Sequence, residues 1–186
     1  MRQEIEGLFD YSLESKPYES YSEYLRNEFK FVKMYLQLYL EAIENNDFEL
    51  ARDKFFRNYI NVKIHLESRL KASQPKFFFG EYFKNLFSLT PFEWFCFLSS
   101  VLSEFDEKYL SEFSKVDSNS DKKSLSYESL FKVFFLVEDL SERDDFSDIY
   151  FKSKYKLESI CFVEDSLKCD PYILEAFITN ISKDIN

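Results

Sequence analysis

Residues 21–70, YSEYLRNEFKFVKMYLQLYLEAIENNDFELARDKFFRNYINVKIHLESRL, contain two amphipathic repeats separated by a short polar turn. Apolar residues recur at intervals of three and four, which places them on one face of an α-helix. The first stripe comprises Leu25, Phe29, Val32, Leu36, Tyr39 and Ile43, and the second comprises Phe48, Ala51, Phe55, Tyr59, Val62, Leu66 and Leu70. The turn Asn45-Asn46-Asp47 offers Asp47 as an N-cap. The sequence therefore predicts an antiparallel pair of long helices that ends near residues 73–75.

The strongest capping signal in the chain is Thr90-Pro91-Phe92-Glu93. Thr90 can cap a helix, proline suits the first helical position, and Glu93 can complete a capping box. This signal predicts a helix that ends near Ser103. Further helices are predicted over residues 77–87, after Asp106 and over residues 126–137, and residues 115–123 predict an exposed loop.

The last part of the chain carries weaker signals. Residues 141–148 fit either a short helix or an acidic loop, and residues 157–162 and 166–169 predict a small β-hairpin. Asp170-Pro171 then begins a final helix. The predicted fold class is mostly α: an antiparallel helical pair in residues 1–75, followed by a winged-helix domain with a small β-hairpin in residues 76–186.

Three stretches in the second part of the chain resemble a known family. Residues 89–93, LTPFE, and 104–109, EFDEKY, resemble its pattern L-S-P-F-E, an apolar helix, then E-L-D-x-x-Y. Residues 167–174, LKCDPYIL, resemble its closing stretch L-x-L-D-x-x-I-L, with Cys169 in place of the second leucine. The family is the winged-helix region that precedes the ATPase module of bacterial AAA+ ATPases. Some of these ATPases are encoded with phage-tail-like contractile injection systems.

The residues that catalysis would need are sparse. Gly7 and Gly80 are the only glycines, so the Gly-rich phosphate loop of the family's ATPase module does not occur. His65 is the only histidine, and we expect it to be hydrogen-bonded or exposed rather than a metal ligand. Cys161 and Cys169 could face each other across a turn, although reduced thiols are typical of the cytosol. The sequence predicts no enzymatic activity, no metal and no cofactor.

The charge balance disfavours nucleic acid as a partner. Asp and Glu number 34 against 24 Lys and Arg, a net charge of −10 that repels DNA, RNA and anionic lipid. Residues 126–139, the helix that would enter a DNA groove, carry three acidic residues against Lys132. The lysines that could contact phosphates are Lys122, Lys123, Lys152, Lys154 and Lys156.

The run Phe77-Phe78-Phe79 is the candidate binding site for a partner. Three consecutive aromatic residues cannot all face one side of a helix, because neighbours in sequence lie about 100° apart around its axis. Two interpretations remain open. The run packs between the helical pair and the winged helix, or it forms an exposed patch that docks a partner or the ATPase module.

Together these features predict a non-catalytic interaction or assembly region of an AAA+ ATPase-like protein. The expected partner is another protein or its own ATPase module, and any oligomer would form through that module. The alternatives are a free-standing acidic winged-helix regulator that binds nucleic acid or mimics its charge, and a helical scaffold in a larger particle. No apolar run approaches the roughly 20 residues of a membrane span, and no signal peptide is recognisable, so the predicted location is cytoplasmic.

Overall fold

The computed structural model of the chain describes residues 8–13, 15–73, 78–105, 108–117, 124–136, 146–163 and 166–182. A short 3₁₀ turn at Tyr11–Leu13 precedes the helices. The helices are α1 (Tyr21–Asn45), α2 (Phe48–Ala72), α3 (Phe79–Leu86), α4 (Pro91–Phe105), α5 (Lys108–Val116), α6 (Tyr127–Leu136), α7 (Phe146–Leu157) and α8 (Pro171–Ser182). Strands β1 (Cys161–Val163) and β2 (Leu167–Cys169) lie between α7 and α8.

The predicted helical pair is confirmed, together with the predicted N-cap at Asp47, although Ile43 and Phe48 of the predicted stripes are exposed because they flank the turn between the helices. Ser20 accepts a hydrogen bond from the Glu23 amide and begins α1, and Asp47 accepts one from the Leu50 amide and begins α2. Between them Asn46 adopts φ 50°, a left-handed conformation that asparagine tolerates. Ion pairs Glu23–Arg69 and Glu41–Lys54 join opposite ends of the two helices, which shows that they run antiparallel.

Helix α1 lies at the centre of the molecule. It packs against α2 on one side and against α4, α5, α6 and α8 elsewhere. The Tyr35 ring lies 4.8 Å from the ring of Phe55 on α2, 5.1 Å from Phe95 on α4 and 4.9 Å from Phe134 on α6. Buried side chains therefore continue across the predicted boundary between residues 75 and 76, and the division into two domains stays a prediction.

The capping box at the start of α4 is confirmed. Thr90 Oγ1 accepts a hydrogen bond from the Glu93 amide at 3.3 Å, and Glu93 Oε2 accepts one from the Thr90 amide at 2.8 Å. Helix α4 extends to Phe105, two residues beyond the predicted end. Lys115 and Val116, predicted as the start of a loop, are instead the last residues of α5. The predicted cap at Asp106, most of the rest of that loop and residues 141–145 lie outside the described residues.

The predicted hairpin is confirmed as a two-stranded antiparallel sheet, but its first strand is Cys161–Val163 rather than residues 157–162, because Leu157 is still the last residue of α7. Cys161 pairs with Cys169, Phe162 with Lys168 and Val163 with Leu167. The Leu167 amide also donates to the Leu125 carbonyl at 2.9 Å, which fastens the hairpin to the chain just before α6. The described residues therefore form a mostly helical fold with one small sheet.

Candidate interaction surface

The two described residues of the aromatic run, Phe78 and Phe79, pack against other elements of the fold. Phe78 is buried, and its ring stacks on Tyr24 at 5.0 Å. Phe79 is half-buried, with its ring edge-on to Phe177 of α8 at 5.0 Å. These contacts match the packing interpretation and leave Phe78 no exposed ring for a partner. Phe77 lies outside the described residues, so its role stays a prediction.

The helix that would read DNA in a winged helix faces the core here. Helix α6 packs between α1 and α4, and its buried residues are Tyr127, Leu130, Phe131, Val133, Phe134 and Phe135. Of its described side chains only Glu128 and Lys132 are exposed, and they form an ion pair of 2.6 Å with each other. A groove-binding helix needs an exposed row of donors, which this helix does not present.

Three of the five lysines proposed for phosphate contacts lie on α7, and two of these three have acidic partners. Lys152 Nζ lies 2.8 Å from Asp148, and Lys156 Nζ lies 3.0 Å from Glu93 while also donating to the Ser88 carbonyl. Lys154 is half-buried. Lys122 and Lys123 lie outside the described residues. The described part of α7 therefore does not form a strongly basic surface.

The cysteines are buried free thiols. Burial raises the pKa of Cys161 to about 12, and it also raises the pKa of Cys96 and of Cys169. The raised pKa values keep these thiols protonated, and because the thiolate is the reactive form, the three residues behave as small apolar side chains.

His65 is buried rather than exposed, with the rings of Phe9 and Tyr11 edge-on to it at 6.0 and 5.4 Å. Within the described ranges no cluster of three His, Cys, Asp or Glu residues is placed to hold a metal.

The outer side of α2 is the exposed surface that the sequence stripes did not reveal. Its buried residues are Ala51, Phe55, Val62, His65 and Arg69, all directed towards the rest of the molecule. On the opposite side, residues spaced alternately four and three apart form a straight exposed row that we call the outer seam: Asp53, Arg57, Ile60, Ile64, Glu67 and Lys71. Such spacing is the a/d pattern by which helices pair in coiled coils.

The centre of the outer seam is apolar, and its ends are charged. Ile60 is 59% exposed and Ile64 is 48% exposed, with Phe56 beside them at 45%. The flanking charges pair only loosely along the helix, since Arg57 lies 3.8 Å from Asp53, and Lys63, which flanks the seam, lies 3.9 Å from Glu67. Exposed pairs of this kind contribute about 0.3–0.5 kcal/mol each. An incoming surface could exchange them at little cost.

The hydrophobic spacing could have revealed this seam, because Ile60 and Ile64 stand outside the stripe assigned to the core. The stripe used for the prediction contains Val62 and Leu66 and accounts for the inner face only.

No described helix is both long and apolar enough to cross a membrane. No protein-family model, curated protein or solved structure matches the chain.

Proposed function

We propose that this chain is a non-catalytic protein-interaction and assembly region that docks a partner or a neighbouring subunit. The observation that carries the proposal is the exposure of Ile60 and Ile64 at the centre of the outer seam. Single exposed apolar residues are common, but a contiguous group on one rigid helix is typical of binding surfaces. The proposal assigns the docking surface to α2, because Phe78 of the aromatic run is buried and offers no exposed ring.

The composition of the seam supports a protein partner. An apolar centre with a charged rim is the usual anatomy of a protein–protein interface. The surface lies on a helix of 25 residues that is held by its inner face, so it would bind without having to order itself first. A rigid surface of this kind suits assembly better than catalysis, which needs a concave site with convergent polar groups.

The resemblance to AAA+ ATPases supplies the context of the proposal. In this context the chain is the cytoplasmic N-terminal region of an AAA+ ATPase-like protein, as in contractile injection systems, and couples a contact on α2 to ATPase work done elsewhere. Residues 76–186 would be a winged-helix variant, since α4, α5 and α6 precede the β1–β2 hairpin. Helix α7, inserted before the hairpin, departs from that outline.

A nucleic-acid regulator is the weaker candidate. Helix α6, which would have to enter the DNA groove, is largely buried, and two of the three lysines on α7 have acidic partners. It would bind DNA or RNA with an affinity that falls steeply as salt is added. A protein contact through Ile60 and Ile64 would be much less sensitive to salt, because burial of apolar surface is its main source of stability.

Site-specific photocrosslinking in the source cell tests the proposal. A benzoylphenylalanine placed at Ile60 should form a covalent adduct with a protein on irradiation. The matched control places the same group at Tyr155 of α7, which is 81% exposed and lies away from α2 in the chain. The proposal expects an adduct at position 60 that is absent at position 155. No adduct at position 60, or equal adducts at both, would contradict it.

A further inference from the structure

The outer seam is self-complementary about residue 62. Moving outward from Val62, Ile60 is matched by Ile64 at equal distance in the sequence. The next pair is Arg57 and Glu67, whose charges are opposite. The outermost pair is Asp53 and Lys71, which are opposite again. All six side chains are exposed. A second copy of the seam, turned end for end, therefore presents the complementary group at each position.

We infer that α2 pairs in antiparallel fashion with α2 of a second copy of this chain, about a two-fold axis level with residue 62. The inference rests on the proposed function and names the neighbouring subunit as an identical chain. Each Ile60 would contact Ile64 of the other copy, with Arg57 opposite Glu67 and Asp53 opposite Lys71. The two-fold axis repeats each contact, so two apolar pairs are enclosed by four pairs of opposite charge.

The heptad positions agree with this arrangement. If Arg57, Ile64 and Lys71 are assigned to position a, then Asp53, Ile60 and Glu67 fall at position d. The proposed pairing matches an a residue of one helix with a d residue of the other throughout, as antiparallel helices do. The buried residues Phe55, Val62 and Arg69 fall at position f, on the side away from the seam. The residues of α2 that pack in the core and the residues of the seam therefore lie on opposite sides of the helix, so that α2 can make both contacts at once.

Other alignments of two identical seams are disfavoured by charge. In a parallel pair each residue meets its own copy, so Arg57 would face Arg57 and Glu67 would face Glu67. Sliding the antiparallel pair by one heptad would place Ile64 against Asp53 in one direction and against Glu67 in the other. Burying an isoleucine against an unpaired carboxylate is unfavourable. Only one register remains in which every pair of seam residues is complementary.

The contact should be weak and reversible. The seam runs over 19 positions, which at 1.5 Å per residue is about 27 Å. Each copy contributes two isoleucines with Phe56 at the flank, an apolar centre well below that of an obligate dimer. Lys63 also flanks the two-fold axis, so the two copies of Lys63 would lie near each other, and Glu67, which lies 3.9 Å from Lys63, would offset only part of that repulsion because it also pairs with Arg57 of the other copy. We therefore expect a dissociation constant of about 10–100 μM.

Analytical ultracentrifugation of the purified chain tests the inference. Over concentrations from about 5 to about 500 μM, the wild-type mass should rise towards twice 22.5 kDa. Arg57→Glu and Glu67→Arg, made singly, each place like charges across the pair twice and should weaken the dimer at least about tenfold. The two changes combined restore opposite charges and should return the dissociation constant to within about threefold of wild type.

Two controls separate a specific contact from an effect of net charge or folding. Arg26→Glu changes the net charge as Arg57→Glu does, on an exposed position of α1, and should leave the dimer unchanged. Circular dichroism should show the same helix content in all variants. A wild-type chain that stays monomeric to about 500 μM would overturn the inference, and so would a double variant no better than the single ones.

The outcomes distinguish this inference from the proposed function. A monomeric purified chain, together with a cellular adduct at position 60 to a different protein, would overturn the identical-copy pairing and leave the interaction function standing. A purified dimer rescued by the charge exchange would support the pairing directly. Absence of any adduct at position 60 in the cell would contradict the proposed function itself.

Discussion

Helices α1 and α2 have the same length, 25 residues, and similar hydrophobic stripes, yet they bury very different fractions of themselves. Twelve residues of α1 are buried, against five of α2. The reason is position: α1 has partners on several sides, whereas α2 packs mainly on α1. An amphipathic stripe therefore identifies the face that packs first, but it does not reveal how many faces will be covered.

The largest difference in stability is expected between a leucine-to-alanine change on α1 and the same change on α2. Leu36 of α1 is fully buried, and Leu50 of α2 is 45% exposed. Leu36→Ala should lower the free energy of unfolding by about 3–5 kcal/mol, because it removes buried methyl groups and leaves a cavity. Leu50→Ala should cost less than about 1 kcal/mol. Urea denaturation of dilute protein measures both, and equal losses would contradict the assigned positions of the two helices.

Arg69 is the charged residue that breaks the pattern of α2, because it is buried. Its guanidinium lies 2.7 Å from Glu23 and 4.2 Å from the centre of the Tyr18 ring, and it donates to the carbonyls of Lys16 and Pro17. It therefore fastens the segment before α1 to the end of α2.

Arg69→Ala should lower the free energy of unfolding by about 2–4 kcal/mol. That is somewhat below the cost of breaking a fully buried pair, since Glu23 remains partly exposed. The matched change Arg57→Ala, on the exposed side of the same helix, should stay within about 0.5 kcal/mol. Urea denaturation measures both losses of unfolding free energy. Equal losses for Arg57→Ala and Arg69→Ala would contradict the assignment of Arg69 to a buried side of α2 and Arg57 to an exposed one.

A smaller effect is expected at Glu28, a buried carboxyl on α1. Burial raises the pKa of Glu28 above 4.5, although Lys84 and the hydrogen bond from Trp94 partly oppose the shift. Because the folded pKa is the higher one, the contribution of this group to stability is fully present below pH 4.5 and is lost as pH rises through the folded value. An ionised Glu28 therefore lowers stability at neutral pH.

Glu28→Gln should accordingly make the protein more stable than wild type at pH 7, since the amide oxygen can still accept from Trp94. The gain should disappear as the pH falls below 4.5. Glu44→Gln, at the exposed end of the same helix, should change stability at pH 7 by less than about 0.5 kcal/mol. Thermal unfolding across this pH range measures the difference, and a Glu28→Gln chain less stable at pH 7 would contradict the assignment.

Local signals in the sequence located most of the elements. The caps at Asp47, Thr90 and Asp170 depend on side chains that bond to amides two or three residues away, so they can be recognised in sequence. Helix α7 beyond residue 148 was missed, because its apolar residues Phe151 and Tyr155 lie on an exposed face and form no core stripe.

The candidate surface could be predicted only in part. The sequence leaves open whether Phe78 packs or docks a partner, because burial by distant elements, here Tyr24 of α1 and Tyr18, leaves no trace in the local sequence. The seam residues were present in the sequence with a regular spacing. What the sequence does not show is whether another element covers the outer side of α2; in the structure α2 packs mainly on α1.

Hydroxyl-radical footprinting of the purified chain at low and high concentration tests most directly that the outer side of α2 is a binding surface. Protection at high concentration should be confined to Phe56, Ile60 and Ile64, because these side chains would be covered when two copies pair. Phe151 and Tyr155, at least as exposed on α7, should react equally at both concentrations. Protection of α7 with none on α2 would show that the outer side of α2 is not the binding surface.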